Sequence, residues 1–147
     1  MKIANRMENL SPSVTLAITA LARELKAQGK DILSFSAGEP DFDTPQIVKD
    51  AAIKAINDGQ TKYTAVEGII ATKQAIINKL KKDHGLEYKL DGIVISNGAK
   101  HSLFNLFQVL IEKGDEVIIP APYWVTYPEQ VKFSDGVPVF IETDDST

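Results

Sequence analysis

The apolar positions of the chain fall into two regimes. Up to about residue 92 they recur with a helical period. Val14, Ala17, Ile18, Leu21 and Leu25 hold one face at i, i+3, i+4, i+7 spacing, the stripe of an amphipathic helix. Ser11-Pro12-Ser13 supplies its start signal and Gly29 its stop. Thr44-Pro45 opens a second helix, with Thr44 as the capping residue and Pro45 in the first turn. Val48, Ala51, Ala52, Ala55 and Ile56 form its inward face, and residues 57–59 close it. A third helix is predicted over 69–82, with Ile69, Ile76, Ile77 and Leu80 inward, lysines outward, and His84-Gly85 at its end. Between these lie an extended segment at 32–35, a loop at 37–43 and a connector at 61–64.

From Ile93 the period changes. Short apolar runs at 93–95, 116–119 and 137–141 read as strands, separated by helices at about 100–111 and 125–133. This strand–helix alternation predicts parallel strands with right-handed crossovers. The helix segment 103–111 is apolar on most sides and is expected to be buried. Three parallel strands are usually the start of a larger sheet covered on both faces. The fold class is therefore α/β, the first part of a larger unit, and the run at 137–141 should leave an unpaired edge that favours aggregation.

Composition narrows the function classes. The chain has 147 residues, 44% hydrophobic and 24% charged, which is the range of a globular domain. A net charge of −4 without a long basic run argues against nucleic acid or an anionic membrane as the main partner. Cysteine is absent and His84 and His101 are the only histidines, so neither a disulfide framework nor a thiolate or His-rich metal centre is expected. The first ten residues lack an apolar core of signal-peptide type. No run approaches the ~18 apolar residues of a membrane span. A soluble, cytoplasmic protein is the default expectation.

Candidate chemistry concentrates between Ile93 and Pro128. The first apolar run breaks at Ser96-Asn97-Gly98-Ala99-Lys100 and feeds a helix; the second breaks at Pro120-Ala121-Pro122-Tyr123-Trp124. In parallel α/β sheets ligands sit beyond the carboxyl ends of strands. A helix start left open by Gly98 and Ala99 presents free N–H groups to an anion, helped by the helix dipole. The plainer reading of Gly98 is a turn, and spacing alone does not separate the two. Trp124, the sole tryptophan, is either core or a plate for a flat ring on the same sheet edge as the cradle. Gly38 offers backbone access to a carboxylate, or is an ordinary turn before a helix. Tyr63 is a phosphate-reaching hydroxyl or a packing residue with a wet tip. His84 and His101 have no catalytic partner at a defensible spacing, and no carboxylate pair stands out for acid–base work.

Four stretches in order carry a resemblance: 34–45 (Ser-Phe-Ser-Ala-Gly-Glu-Pro-Asp-Phe-Asp-Thr-Pro), Thr61-Lys62-Tyr63, 96–105 (Ser-Asn-Gly-Ala-Lys-His-Ser-Leu-Phe-Asn), and 114–128 with Pro122-Tyr123-Trp124. The chain resembles the N-terminal part of class I aminotransferases of the aspartate aminotransferase type, which use pyridoxal phosphate (PLP). The resemblance implies a truncated PLP-dependent transferase type I fold: an arm at 1–12, the first segment of the small domain at 13–43, and the start of the large mixed-sheet, PLP-binding domain at 44–147. It implies that Gly98, Ala99 and Lys100 hold the PLP phosphate and that Trp124 stacks on the pyridine ring. Gly38, with Trp124, would face the substrate. Tyr63 would reach the PLP phosphate of the partner subunit in a homodimer. Substrates would be an amino acid, aspartate-like, and a 2-oxo acid. By the same resemblance the Schiff-base lysine lies downstream, so no catalytic residue is in this chain; none of Lys49, Lys54, Lys62 or Lys100 matches it. Some relatives that accept prephenate carry Lys where Ser11 stands, which weakens that substrate reading. Other PLP enzymes of the same fold, a β-lyase or an aminocyclopropanecarboxylate synthase, remain open, as does a non-catalytic phosphate-binding module.

The expected affinity is low. Charge-assisted hydrogen bonds to phosphate contribute about 1.5–3 kcal/mol and stacking about 0.5–1.5 kcal/mol. Together they correspond at best to a dissociation constant of about 1 mM. The chain alone is expected to bind PLP weakly and not to transaminate.

Overall fold

The computed structural model describes residues 2–36 and 38–144. Met1, residues 145–147, and Ala37 of the 34–45 stretch lie outside the described residues. Helices α1 (Val14–Ala27), α2 (Gln46–Asn57), α3 (Ile70–His84) and α4 (Ala99–Leu110) are followed by strand β1 (Glu116–Ala121), helix α5 (Thr126–Phe133) and strand β2 (Val137–Glu142). The residues divide into two compact units, Met1–Ala37 with Asn97–Thr147, and Gly38–Ser96.

In the first unit β1 and β2 pair in parallel, from Glu116↔Val137 to Ala121↔Glu142, as the sequence pattern predicts. Helix α5 crosses between them and packs on both strands and on α4. Phe104 of α4 meets Phe133 of α5 with ring centroids 5.5 Å apart. Val131 is fully buried and Ile119 nearly so. Gly136, leading into β2, sits so close to this core that a Cβ there would fall 2.7 Å from Ile111 Cγ2 and 3.1 Å from Val131 Cγ1. Helix α1 starts where Ser13 Oγ accepts the Leu16 N–H at 3.3 Å, the capping role its position predicts.

The second unit holds α2, α3 and a 3-10 turn at Leu90–Gly92 that packs on α3. Gly85 ends α3 in the left-handed region, φ 69°, the expected glycine stop. Gly68, at φ 104°, lies against Ile95, while the Ile95 N–H donates to Glu67 O at 2.9 Å.

Five expectations change. Thr44 does not cap α2: Pro45 occupies the N-cap position without a side-chain bond, and the Thr44 N–H donates instead to Asp43 Oδ1 at 2.7 Å. Residues 93–95 form no strand, because among the described residues none pairs with them in a ladder; the Ile95 N–H bond to Glu67 joins them only to the turn at residues 66–67. Helix α4 is not buried: Val109 and Leu110 are exposed, and the helix packs on α5 with one side only. The apolar faces of α1 and α2 form as predicted, yet Val14, Ile18, Leu21, Val48 and Ile56 are exposed. On α3, Lys73 is the most buried residue; a long apolar stem carries a lysine onto an inward face.

The core is accordingly thin. Its buried apolar residues among those described are Ile93, Ile119, Pro128 and Val131. Two separate globules of half this chain's mass would expose roughly 8,900 Å². The chain exposes 12430 Å². Apolar surface that well-packed domains hide is here in contact with water.

Candidate functional site

The first unit brings the cradle and the plate together. Gly98 is the N-cap of α4 with φ 84° and ψ 169°, a conformation essentially restricted to glycine. No side chain caps the helix. Gly98 O accepts the N–H groups of His101 and Ser102, both at 3.2 Å. The N–H groups of Ala99 and Lys100 have no acceptor among the described residues. These two donors stand unpaired at the positive end of a 12-residue helix, the kind of group an anion can accept from.

Trp124 stands beside them. It follows the carboxyl end of β1, and Lys100 Nζ lies 5.4 Å from its ring centroid. Trp124 is 46% exposed. The loop that carries it is held from below: Tyr123 stacks on Phe140 of β2 at 4.8 Å, and Thr143 Oγ1 donates to Ala121 O. The Tyr127 N–H donates to Trp124 O at 3.0 Å and opens α5.

Four contacts around this site were not read from the sequence. Gln130 Nε2 donates to Lys100 O at 2.8 Å, tying α5 to the first turn of α4. Its Oε1 is buried and has no donor among the described residues. The Asn97 N–H donates to His101 Nδ1 at 3.0 Å. Glu129 accepts the Ser11 N–H at 2.8 Å and pairs with Lys132 at 3.0 Å, anchoring the arm. A cleft of about 350 Å³ is lined by residues 11–14 on one side and by Tyr123, Val125, Thr126, Pro128 and Glu129 on the other. The Asn97–His101 contact reaches one residue further than a capping box and matches no standard signal; the Gln130 and Glu129 contacts have no local signal.

Gly38 and Tyr63 belong to the second unit. Gly38 has open space where a Cβ would stand and a φ outside the left-handed region. The Tyr63 side chain is fully exposed. Nearby, Asp43 accepts hydrogen bonds from Lys49 Nζ and the Thr44 N–H. The Lys49 bond is the main cause, and the Thr44 bond the second, of a carboxyl held below its ordinary range. No helix among the described residues is long and apolar enough to cross a membrane.

Comparison with known proteins places the chain. Residues 30–147 match the family model for aminotransferase class I and II. The chain is 58% identical over 142 residues to an aspartate aminotransferase of Geobacillus stearothermophilus, covering 97% of this chain and 36% of the relative. It is 56% identical over 143 residues to an aspartate/prephenate aminotransferase of Nitrosomonas europaea, again 36% of that protein. Among solved structures, the aspartate aminotransferase of Thermus thermophilus with maleate superposes with a TM-score of 0.94 at 43% identity, over 99% of this chain and 38% of that one. The enzyme from Rhizobium meliloti gives 0.92 at 45% identity, over 99% and 36%. The chain thus spans about a third of the length of the relatives it matches. With most of its residues inside the family model and the predicted α/β elements superposing on solved members, the chain belongs to the class I and II aminotransferases.

Proposed function

We propose that this chain supplies the phosphate anchor and ring plate of a PLP-dependent aminotransferase that moves an amino group between an aspartate-like amino acid and a 2-oxo acid. On this reading residues 13–43 open the small domain and residues 44–147 begin the large one. When bound, PLP supplies the electron sink for the chemistry at the amino-acid carbon. The chain's residues bind and orient. The free Ala99 and Lys100 N–H groups, with the α4 dipole, take phosphate oxygens. The Lys100 ammonium adds positive charge over the approach. The Trp124 face fixes the plane of the pyridine ring. Gly38 leaves its backbone open to a substrate carboxylate, and the Tyr63 hydroxyl serves the phosphate held by the partner subunit of a homodimer.

The observation that carries the reading is the uncapped, glycine-opened start of α4 lying against an exposed indole. The donor set fits a phosphate ester attached to a flat ring. The named relatives are aspartate or aspartate/prephenate aminotransferases, which favours transamination over the lyase, synthase and non-catalytic alternatives. Trp124 is the only tryptophan, so PLP titration of the chain reads out in its emission. The expected result is quenching with a midpoint of about 1 mM or weaker, reversed by inorganic phosphate. Unchanged Trp124 emission at saturating PLP, or quenching insensitive to phosphate, would sink the site assignment. Transamination by the purified chain alone would refute the absence of a catalytic lysine from it.

A further inference from the structure

We infer that His101 is a positioning residue for the anion cradle, a role that rests on the cofactor reading above. An ordinary N-cap places a side-chain oxygen on the first-turn N–H groups. That oxygen would compete with a bound phosphate. Gly98 avoids the competition by having no side chain, but the same absence leaves the loop without its usual tether, and glycine is the residue with most freedom to lose.

His101 restores the tether from the other side. It stands three residues into α4, counted from Gly98, and its ring turns back so that Nδ1 accepts the Asn97 N–H at 3.0 Å. In a capping box the third helical residue reaches back to the N-cap N–H. Here the reach extends one residue further, to Asn97. The ring of bonds therefore closes around Gly98 without occupying Ala99 or Lys100. Gln130 completes the arrangement by holding the carbonyl side of the same turn, through Lys100 O at 2.8 Å. Both tethers hold peptide groups that flank the cradle, and neither takes a donor that an anion needs. The acceptor role assigns the imidazole proton to Nε2.

The test uses three versions of the chain: wild type, His101→Leu and His101→Asn. Leucine removes the acceptor. The asparagine Oδ1 falls where Nδ1 stood and restores it. Amide hydrogen exchange without ligand reads the tether directly. The Asn97 amide should exchange about fivefold faster in H101L than in wild type, the loss of one net hydrogen bond, and within about twofold of wild type in H101N. PLP titration, followed by the Ala99 and Lys100 amide NMR shifts, should weaken about fivefold in H101L and recover in H101N. Equal Asn97 exchange in wild type and H101L overturns the role of His101 alone. So does an H101N that behaves like H101L, which also covers a leucine variant that fails to fold. A protected Asn97 with no PLP-induced shift at Ala99 or Lys100 in wild type overturns the proposal together with the cofactor reading.

Discussion

Replacing Gly98 by alanine adds one methyl group at the point where the cradle turns. The added Cβ meets nothing within 4 Å, so packing does not oppose it. The whole cost is conformational. At φ 84° and ψ 169°, an L-residue other than glycine is strained by about 1–3 kcal/mol. Residue 98 escapes that strain by rotating to negative φ, which re-aims the Ala99 and Lys100 N–H groups. Binding must then restore the strained turn, so PLP affinity falls by roughly fivefold to 150-fold. Gly114→Ala is the matched control. Gly114 also has positive φ, 92°, and open space, but it lies between α4 and β1, away from the cradle. It should lower stability without weakening PLP binding. The assay is Trp124 emission, titrated with PLP and separately with urea, for wild type and both variants. The reasoning is refuted if Gly98→Ala binds PLP like wild type, or if the two variants lose affinity equally.

Val131→Ala should lower the unfolding free energy of the first unit by about 2–3 kcal/mol, from two lost methyl groups at ~0.8 kcal/mol each plus a cavity. Val131 is fully buried, and an unchanged urea midpoint at Trp124 would contradict its place at the centre of the core. Gly68→Ala should destabilise the second unit, since its Cβ would fall 2.3 Å from Ile95 Cγ1 at φ 104°; wild-type exchange at the Ile95 amide in the variant would count against this contact. The Asp43 carboxyl, depressed chiefly by Lys49, should titrate below its ordinary 3.8. Because the folded value is the lower one, its contribution to stability is present above about pH 4 and disappears as pH falls through the folded midpoint. Carboxyl carbon shifts should show the midpoint rising toward 3.8 in Lys49→Met, and no rise would remove Lys49 as the cause.

What the sequence disclosed were features set within one or two turns of chain. Ser13 caps α1 and Gly85 ends α3 because such signals act on their own backbone neighbours. The open start at Gly98 and the placing of Trp124 after β1 followed from the change of hydrophobic period at Ile93. What depended on a distant partner was hidden. The apolar stripes of α1 and α2 specify a face, but a stripe does not state what covers it, and here it meets water. The run 93–95 has the composition of a strand, yet a ladder needs a neighbour as well as a pattern. Thr44 is a good capping residue in isolation, but Pro45 is the residue whose carbonyl accepts the first bonds of α2. Gln130 and Glu129 join residues 30 and 118 positions away, which no local pattern encodes.

The β1–α5–β2 register has a kinetic meaning. Every strand residue pairs with one roughly 20 positions later, Glu116 with Val137 through to Ala121 with Glu142. Loop-closure entropy rises only as the logarithm of the loop, so this parallel pairing lies near the short limit that a crossover helix permits. Once residue 142 is available, both strands of the pair and the helix that crosses between them are present. A chain synthesised from its N-terminus can therefore form the strand end that carries Trp124 early, before slower and more distant pairings.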